Sequence, residues 1–294
     1  MGSKIISRLS SLGYEVVAIG RNLNKHALKS VAWHEVVLDN SVNWQDYLDD
    51  VSVVYHLAWS SRPSSSNHER VADASINIVG TLRLLDALVG RPNIRFVFPS
   101  SGTSVYGAAT ALSKESDLVQ PNCAYGISKL AIEHYLRLYR ELFELDSIAL
   151  RIANLYGPGQ IPTPGFGAIA TFSLRALQNQ KITIFGDGIV IRDYIFIDDV
   201  INALITAGET RGGPALLNIG SGIGRSLNEV VEAISFQLKK KIEIEYAPMR
   251  RFDATFSILD ISLAETTLRW RPKVVFDEGL AATLSYLEEA LKMK

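Results

Sequence analysis

The sequence predicts an α/β protein built on a doubly wound parallel sheet, with a smaller C-terminal α/β lobe. Short runs rich in β-branched residues alternate with longer helical patterns through the first 200 residues, which is typical of consecutive βαβ units. The short runs are apolar throughout and do not alternate with polar residues. That pattern indicates parallel strands buried on both faces.

The elements follow one another along the chain. The predicted strands of the sheet are Glu15–Ile19, Glu35–Leu38, Val51–His56, Arg95–Pro99 and Ser147–Ile152. The predicted helices lie near Lys4–Ser11, Ser75–Val89 and Ile127–Glu144. Glycine and proline interrupt the chain near 157–167, and the lobe that follows contains short strands such as Lys181–Phe185 and Tyr194–Ile197.

The third predicted helix has an apolar side, which we expect to pack on the sheet. Its members are Ile127, Leu130, Ala131, Leu138 and Leu142.

Composition excludes several classes of protein. The 294 residues carry 30 Lys and Arg against 31 Asp and Glu, so no charge excess predicts a nucleic-acid or membrane partner. Cys123 is the only cysteine, which excludes an intrachain disulfide and predicts a reducing cytoplasm. No apolar run approaches the roughly 18 residues of a membrane span, and no metal site is predicted.

The segment AYGISK places Tyr125 and Lys129 four residues apart, on one face of a helix. An ammonium beside a phenol favours the phenolate, so we expect Lys129 to lower the pKa of Tyr125. A tyrosine tuned in this way serves as a general acid or base near neutral pH. The pair alone is weak evidence, because Tyr-x-x-x-Lys occurs by chance in many surface helices.

The segment FVFPSSGTSVYG reads as a strand that enters a hydroxyl-rich turn. Ligands of open α/β sheets bind beyond the carboxyl ends of the strands, where these hydroxyls can bind a substrate. The candidates are Ser100, Ser101, Thr103 and Ser104. The alternative is a turn that simply favours serine. Together with the tyrosine and lysine, the turn makes a Ser/Thr–Tyr–Lys site the better interpretation.

Several stretches in this order resemble the extended short-chain dehydrogenases/reductases of the nucleotide-sugar epimerase/dehydratase family. They are VVYHLAWSS, NIVGTLRLLDAL, FVFPSSGTSVYG, AYGISKLAIEHYLRLY, RIANLYGPGQ, IFGDGIVIRDYIFIDDV, LNIGSGIGRSLNEVVEAI and RWRPKVVFDEGL. The resemblance covers nearly the entire chain. It implies a Rossmann-type dinucleotide-binding domain at 1–155 plus about 186–210, and a nucleotide-sugar lobe at about 156–185 and 211–294.

The resemblance also implies catalytic roles. Tyr125 would be the acid/base, and Lys129 would tune it and hold the nicotinamide ribose. The family's catalytic Ser or Thr falls on Gly102 in this chain, so we expect one of the flanking hydroxyls, that of Ser101 or that of Thr103, to polarise the sugar.

The implied cofactor is NAD. The residues expected along it, besides the Tyr–Lys pair, are Gly2, Arg21, Asp39, Leu57, Ala58, Trp59, Asn77 and Ser100. The residues expected to face the nucleotide sugar are Asn154, Arg192 and Arg250. Arginine suits a diphosphate because its planar fork makes paired charge-assisted bonds, although a surface ion pair is the alternative for each arginine.

Two departures from the family pattern concern the cofactor. The acid that usually ends the second strand is replaced by Gly20, and Arg21 follows it. A cation there fits a ribose 2′-phosphate, so NADP stands beside NAD; the alternative is a solvated loop arginine.

The second departure is the opening, MGSKIISRL, which aligns Gly2 with the last glycine of the family's glycine-rich turn. The first strand and the first two glycines are missing from the sequence given. Our hypothesis is that Met1 is an internal methionine of a longer native chain; otherwise another segment or a partner would have to fill the place of the strand.

The resemblance favours a UDP-hexose 4-epimerase. A dehydratase would carry an acidic pair in the Ser/Thr turn, which SSGTSVYG lacks. An NADP-dependent 4-keto reductase stays open because of Arg21, and a truncated, non-catalytic nucleotide-sugar-binding relative is the alternative of another class. A homodimer is expected, with the helices Ser75–Val89 and Ile127–Glu144 as the candidate interface.

Overall fold

A computed structural model describes residues 1–21, 28, 30–36, 42–163, 167–249 and 255–293. These residues form two compact units. The first unit comprises 1–100, 123–150 and 201–217, and the second comprises 101–122, 151–200 and 218–294. The chain therefore passes between the units several times.

Helices and strands alternate through most of the chain. The helices are α1 Gly2–Ser11, α2 Pro63–Ser66, α3 Arg70–Asp73, α4 Gly80–Leu88, α5 Gly102–Tyr106, α6 Ala124–Phe143, α7 Ala168–Leu177, α8 Ile197–Glu209, α9 Leu227–Leu238, α10 Ser262–Leu268 and α11 Phe276–Lys292. The strands are β1 Val16–Gly20, β2 Val31–Glu35, β3 Val53–Tyr55, β4 Arg95–Ser101, β5 Ser147–Ile152, β6 Asn154–Tyr156, β7 Ile182–Phe185, β8 Ile191–Phe196, β9 Leu216–Ile219, β10 Gly224–Ser226, β11 Ile244–Ala247 and β12 Phe256–Ser257. A 3₁₀ turn spans Trp44–Tyr47, and a π-helical segment, Ala74–Val79, leads into α4.

The main sheet has the strand order β3-β4-β5-β9, and β3 and β4 run parallel. Strands β1 and β2 form a separate parallel pair. Among the described residues no backbone pairing joins the two pieces. The parallel α/β architecture predicted from the apolar runs is confirmed.

The second strand was predicted too late in the sequence. We expected Glu35–Leu38, whereas β2 begins at Val31 and is Val31–Glu35; Val37 and Leu38 lie outside the described residues. Strand β2 follows β1 in register, so that Gly20, the last residue of β1, lies opposite Glu35. The partner strand, and not the local β-branched run, decides where β2 ends.

The first unit is built around one apolar core between β4, α4 and α6. Its members include Leu84, Leu85, Leu88, Phe96, Phe98, Ile132, Leu136, Tyr139 and Ala149. The predicted packing face of the third helix is wrong, because Ile127, Leu138 and Leu142 are exposed and α6 buries Ile132 and Leu136 instead. The helix contains two apolar stripes, and the sequence pattern did not tell which one meets the sheet.

A buried ion pair joins the beginnings of β4 and β5. The fully buried Arg95 pairs with Asp146 and also donates from Nε to the carbonyl oxygen of Ala207. Arg211 adds a second contact to Asp146 at 3.1 Å and donates to the carbonyl oxygen of Ser52 at 3.0 Å. These bonds connect both central strands to the end of α8.

The second unit contains two smaller sheets and the helices α7, α9 and α11. Strand β8 pairs with β6, β10 and β12, while β11 pairs in parallel with β7. The buried carboxylate of Asp193, on β8, accepts hydrogen bonds from the backbone and side chain of Ser221 at 2.8 and 2.6 Å. Burial raises the pKa of Asp193 even though these bonds oppose the shift.

Candidate active site

Helix α6 carries Tyr125 and Lys129, and its first turn is fixed by side chains from another segment. Cys123 precedes the helix and makes no side-chain cap. Instead, Asn67 Oδ1 accepts from the backbone N–H of Ala124 at 2.9 Å, and Ser66 Oγ accepts from that of Tyr125 at 3.0 Å. These bonds satisfy N–H groups that no residue of the helix can reach. Tyr125 is therefore held at a capped helix end.

The ammonium of Lys129 lies in a nearly closed pocket of the first unit. The side chain is only 3% exposed, and Nζ donates to the carbonyl oxygen of Pro99 at 2.8 Å. Nζ also lies 3.7 Å from the centre of the Trp59 ring and 4.4 Å from that of Phe98. Burial lowers the pKa of Lys129 to about 7, although Glu133 and Asp73 oppose the shift.

The expected direction of the Tyr125 pKa is wrong in this structure. Lys129 Nζ lies 5.7 Å from the centre of the Tyr125 ring, as the four-residue spacing predicts. Burial nevertheless raises the pKa of Tyr125, and the nearby Cys123 and Asp73 raise it further. Loss of solvation disfavours the charged phenolate.

The buried carboxylate of Asp73 lies against the catalytic helix. It accepts hydrogen bonds from the hydroxyl groups of Ser128, on α6, and Ser61. Asn77 Nδ2 donates to the same carboxylate at 3.0 Å. Since Ser128 directly precedes Lys129, this carboxylate ties α3 to α6 beside the catalytic lysine.

Asn77, predicted to lie along the cofactor, is 3% exposed, and its side-chain amide makes hydrogen bonds to other residues of the protein. Its Oδ1 accepts from the backbone N–H and the hydroxyl of Ser60 at 2.9 and 3.1 Å. The structure thus gives Asn77 a role in holding the loop that follows β3. It lies in the π-helical segment Ala74–Val79, a conformation often found at functional sites.

Two residues of the predicted cofactor region bind other side chains. His56 is buried, shares a 2.9 Å hydrogen bond with Thr81, and has its pKa lowered to about 3 by burial and by Lys129. The histidine is therefore neutral. Ser100 donates its hydroxyl hydrogen to Glu133 on α6.

The two candidate hydroxyls of the turn, those of Ser101 and Thr103, differ in their hydrogen bonds. Both residues belong to the second unit. Thr103 Oγ1 accepts from Asn154 Nδ2 at 3.2 Å and lies 2.9 Å from Ser257 Oγ. The hydroxyl of Ser101 makes no hydrogen bond to the described residues. Between them, a β-carbon at Gly102 would lie 2.9 Å from Leu259, which explains why the smallest residue occupies this position.

The predicted substrate residues in the described part of the chain are Asn154 and Arg192. Asn154 Nδ2 also donates to the carbonyl oxygen of Asp193 at 3.1 Å, so strand β8 orients the amide. Arg192 is half-buried on β8 and donates to the carbonyl oxygen of Ile191 at 2.9 Å. The third, Arg250, lies outside the described residues.

The remaining predicted cofactor residues lie at the ends of strands and helices in the first unit. Gly2 is the first residue of α1, with open space where a β-carbon would stand. Arg21 is exposed directly after β1, and the half-buried Leu57 and Ala58 follow β3. Asp39 lies outside the described residues.

The first unit contains donors suited to a nicotinamide dinucleotide. The indole Nε1 of Trp59 is buried and has no hydrogen-bond partner among the described residues. Such a donor costs free energy unless an acceptor reaches it. Lys129 keeps donors beyond the one used by Pro99, since an ammonium has three. Both groups fit the hydroxyl and amide oxygens of a nicotinamide riboside.

Sequence reasoning missed Asp73, Ser66 and Asn67. Each acts on α6 from more than 50 positions away in the chain, as the separations of 55, 59 and 57 residues show. The spacing of Asp73 and Asn77 was the one local signal, because residues four apart share a helix face.

The family model for the NAD-dependent epimerase/dehydratase family matches residues 1–220. This chain belongs to that family. A UDP-glucose 4-epimerase of Mycolicibacterium smegmatis is 36% identical over 296 residues, which cover 97% of this chain and 95% of the relative.

Solved structures agree with this assignment. A UDP-glucose 4-epimerase of Thermotoga maritima with UDP-glucose has a TM-score of 0.91 at 32% identity and covers 99% of this chain and 96% of its own. A UDP-glucose 4-epimerase of Thermus thermophilus in complex with NAD has a TM-score of 0.90 at 30% identity, with coverage of 98% and 96%. The predicted family, Rossmann-type fold and cofactor are confirmed.

Proposed function

We propose that this chain is a UDP-hexose 4-epimerase that uses NAD. The observation that carries the proposal is the Tyr125–Lys129 pair on one face of α6, in a protein that belongs to an NAD-dependent epimerase/dehydratase family. Epimerases with UDP-glucose or NAD in their solved structures are similar to it over nearly its whole length.

The roles of the residues follow from their chemistry. Tyr125 takes the proton of the sugar 4-hydroxyl and later returns it to the same oxygen. Lys129 stabilises the phenolate and holds the nicotinamide ribose, with Trp59 donating from its unpaired N–H. Ser101 and Thr103 polarise the sugar, Ser101 through its open hydroxyl. NAD, when bound, would supply the acceptor for the hydride of C4, and return of that hydride to the opposite face of C4 would give the epimer.

We propose that the sugar nucleotide is contacted by Asn154, Arg192 and Arg250. An arginine fork fits the diphosphate, and the amide of Asn154 fits a sugar or ribose oxygen. Asp39 and Gly2 are proposed to face the adenosine half of NAD, with Leu57 and Ala58 beside it. We propose that residues 1–155 and about 186–210 bind the dinucleotide. Residues at about 156–185 and 211–294 are proposed to bind the nucleotide sugar.

Epimerisation is the test of this proposal. Purified protein incubated with UDP-glucose should form UDP-galactose to equilibrium without net use of reduced cofactor, followed by ¹H NMR of the anomeric protons. Tyr125→Phe should lower kcat by at least about 100-fold because it removes the acid/base group. Tyr135→Phe on the same helix is the matched control and should retain activity.

The competing functions give different outcomes. Loss of water from the sugar would indicate a dehydratase, and stoichiometric consumption of NADPH a 4-keto reductase. Tight UDP-sugar binding with no bound dinucleotide after denaturation would indicate a non-catalytic relative. Each of these results contradicts the epimerase proposal.

The preference for NAD over NADP is tested at Arg21. We propose that this exposed arginine is solvated in the NAD complex. Arg21→Ala should therefore leave the Kd for NAD within about two-fold, and a Kd for NADP well below that for NAD would contradict the proposal.

A homodimer through the helices near the active site is also proposed. Helix α6 exposes Ile127, Leu138 and Leu142, which fall on one stripe because they are 11 and 4 positions apart. The adjacent π-helical segment exposes Ile76 and Val79. An uncovered apolar stripe of this kind is typical of an association surface, and a second copy presents the same stripe.

Sedimentation velocity tests the dimer. Leu142→Glu should convert a dimer to a monomer, while Leu118→Glu, at an exposed leucine of the second unit, should not. A monomeric wild-type protein would contradict this proposal.

A cytoplasmic location is proposed because Cys123 is the only cysteine, so that the chain forms no intrachain disulfide. No helix in the described part of the chain is long and apolar enough to cross a membrane. Cell fractionation followed by immunoblotting tests the location, and recovery in the periplasmic or secreted fraction would contradict it.

A further inference from the structure

The ammonium of Lys129 is surrounded by aromatic faces. Nζ lies 3.7 Å from the centre of the Trp59 ring, closer than to Phe98 at 4.4 Å or Tyr125 at 5.7 Å. The Trp59 ring is itself held on both sides, tilted against Phe98 with centroids 5.7 Å apart and edge-on to Tyr125 at 6.2 Å. Its position is therefore fixed by packing.

Besides the aromatic rings, Glu133 and Asp73 act on the charge of Lys129 and partly offset the effect of burial on its pKa. No ion pair to a carboxylate is formed by Lys129 within the described ranges, and its hydrogen bond goes to the neutral carbonyl of Pro99. Glu133, one turn along α6, receives the Ser100 hydroxyl, and Asp73 on α3 receives three other donors. His56, after β3, is neutral.

A tryptophan face attracts a cation through the negative potential above the ring, and more strongly when water is excluded. The Lys129 side chain is 3% exposed, so the attraction acts in a desolvated pocket. Trp59 therefore stabilises the ammonium where burial disfavours it.

We propose that Trp59 is a positioning residue, whose ring face holds Lys129 as an oriented ammonium beside Tyr125. The catalytic consequence rests on the proposed epimerase function, whereas the effect on the lysine does not. Removing the ring face shifts Lys129 toward the neutral amine, which neither stabilises a phenolate nor donates as strongly to a ribose hydroxyl.

The direct test measures Lys129 in the cofactor-free protein. Protein labelled with [ε-¹³C]lysine is titrated by NMR, and the Lys129 resonance is identified by its loss in Lys129→Met. Trp59→Leu keeps an apolar side chain without a ring and should lower the apparent pKa of Lys129 by about 0.5 to 1 unit. Trp59→Phe keeps a ring and should leave the pKa of Lys129 close to its wild-type value.

Trp33→Leu is the matched control, because Trp33 is a half-buried tryptophan on β2 in the same unit and its indole donates to the carbonyl oxygen of Leu28. It should leave the Lys129 pKa unchanged. An unchanged pKa in Trp59→Leu would overturn the proposal.

Fluorinated tryptophans cover the case in which Trp59→Leu does not fold, since they weaken the ring potential and keep its shape. The pKa of Lys129 should fall progressively as fluorine atoms are added, and a flat series would overturn the proposal.

In the active enzyme, kcat of Trp59→Leu should fall about ten-fold, and its pH profile should be displaced to lower pH. Trp59→Phe should restore both. A wild-type enzyme without epimerase activity but with the pKa shift would reject the proposed function and keep the role of Trp59.

Discussion

Ser128 donates a hydrogen bond to the carboxylate of Asp73, and this contact joins α6 to α3 across 55 positions of the chain. Asp73 is 2% exposed and receives two further donors, from Ser61 and Asn77. The same carboxylate therefore connects the loop after β3 with the residue next to Lys129. It holds the part of α6 that carries Tyr125 and Lys129.

The Asp73–Ser128 contact predicts strongly non-additive kinetics. Asp73→Asn should lower kcat about ten-fold, because the neutral amide cannot accept from three donors. Ser128→Ala should have a smaller effect, and the double variant should be close to Asp73→Asn alone, with a coupling of about 1 kcal/mol. Steady-state kinetics of the four proteins measures this coupling. Asp117→Asn, at an exposed carboxylate in the second unit, is the control, and additive effects would contradict the contact's role.

Burial of Lys129 predicts how the stability of the cofactor-free protein changes with pH. The folded-state pKa is about 7, below the ordinary value of 10.5, so the unfolded chain binds more protons between these two values. The lysine's contribution to stability is therefore lost as pH falls toward 7 and recovered as pH rises toward 10.5. Lys129→Met should raise Tm by several degrees near pH 6.5, and this gain should shrink steadily up to pH 9.5.

Thermal unfolding by circular dichroism measures this dependence. Lys181→Met is the control, because Lys181 is exposed and pairs with Glu243 at the surface. Its effect on Tm should be small at every pH. A Tm gain for Lys129→Met that does not change with pH would show that the lysine is not buried as an ammonium.

The buried ion pair Arg95–Asp146 predicts a large stability effect. Arg95→Met leaves the Asp146 carboxylate with only the partly exposed Arg211, and should lower the free energy of unfolding by about 3 kcal/mol. Urea unfolding measures the loss. Arg91→Met, which breaks an ion pair to the exposed Asp49, should cost less than about 1 kcal/mol. Equal losses in the two variants would contradict the importance of burial.

We expect different kinetic defects when the two hydroxyls of the turn, those of Ser101 and Thr103, are removed. Ser101→Ala removes a hydroxyl with no hydrogen bond to the described residues, and should lower kcat about 100-fold if it polarises the sugar. Thr103→Val leaves Asn154 without one of its two acceptors and should mainly raise KM, while Thr103→Ser should be close to wild type. Initial rates at varied UDP-glucose separate the two effects. A larger kcat loss in Thr103→Val than in Ser101→Ala would assign the catalytic hydroxyl to Thr103.

The central strands and the catalytic helix were predictable from the sequence alone. Strands β4 and β5 contain the predicted ranges Arg95–Pro99 and Ser147–Ile152, because apolar runs between polar boundaries read as buried strands. The four-residue spacing of Tyr125 and Lys129 was sufficient to place both on one helix face. Periodicity determines such local features because they depend on residues close together in the chain.

The buried side of α6 and the pKa of Tyr125 depend on packing and solvation, and the tertiary structure determined both. It selected Ile132 and Leu136, not Leu138 and Leu142, as the buried side of α6, since both stripes are apolar and only the sheet distinguishes them. It also reversed the expected pKa direction of Tyr125, because the cost of burying a charge depends on every neighbouring element. The sequence by itself determined the family, the strand–helix order and the catalytic pair; three-dimensional packing determined the contacts that hold that pair and the charge that it carries.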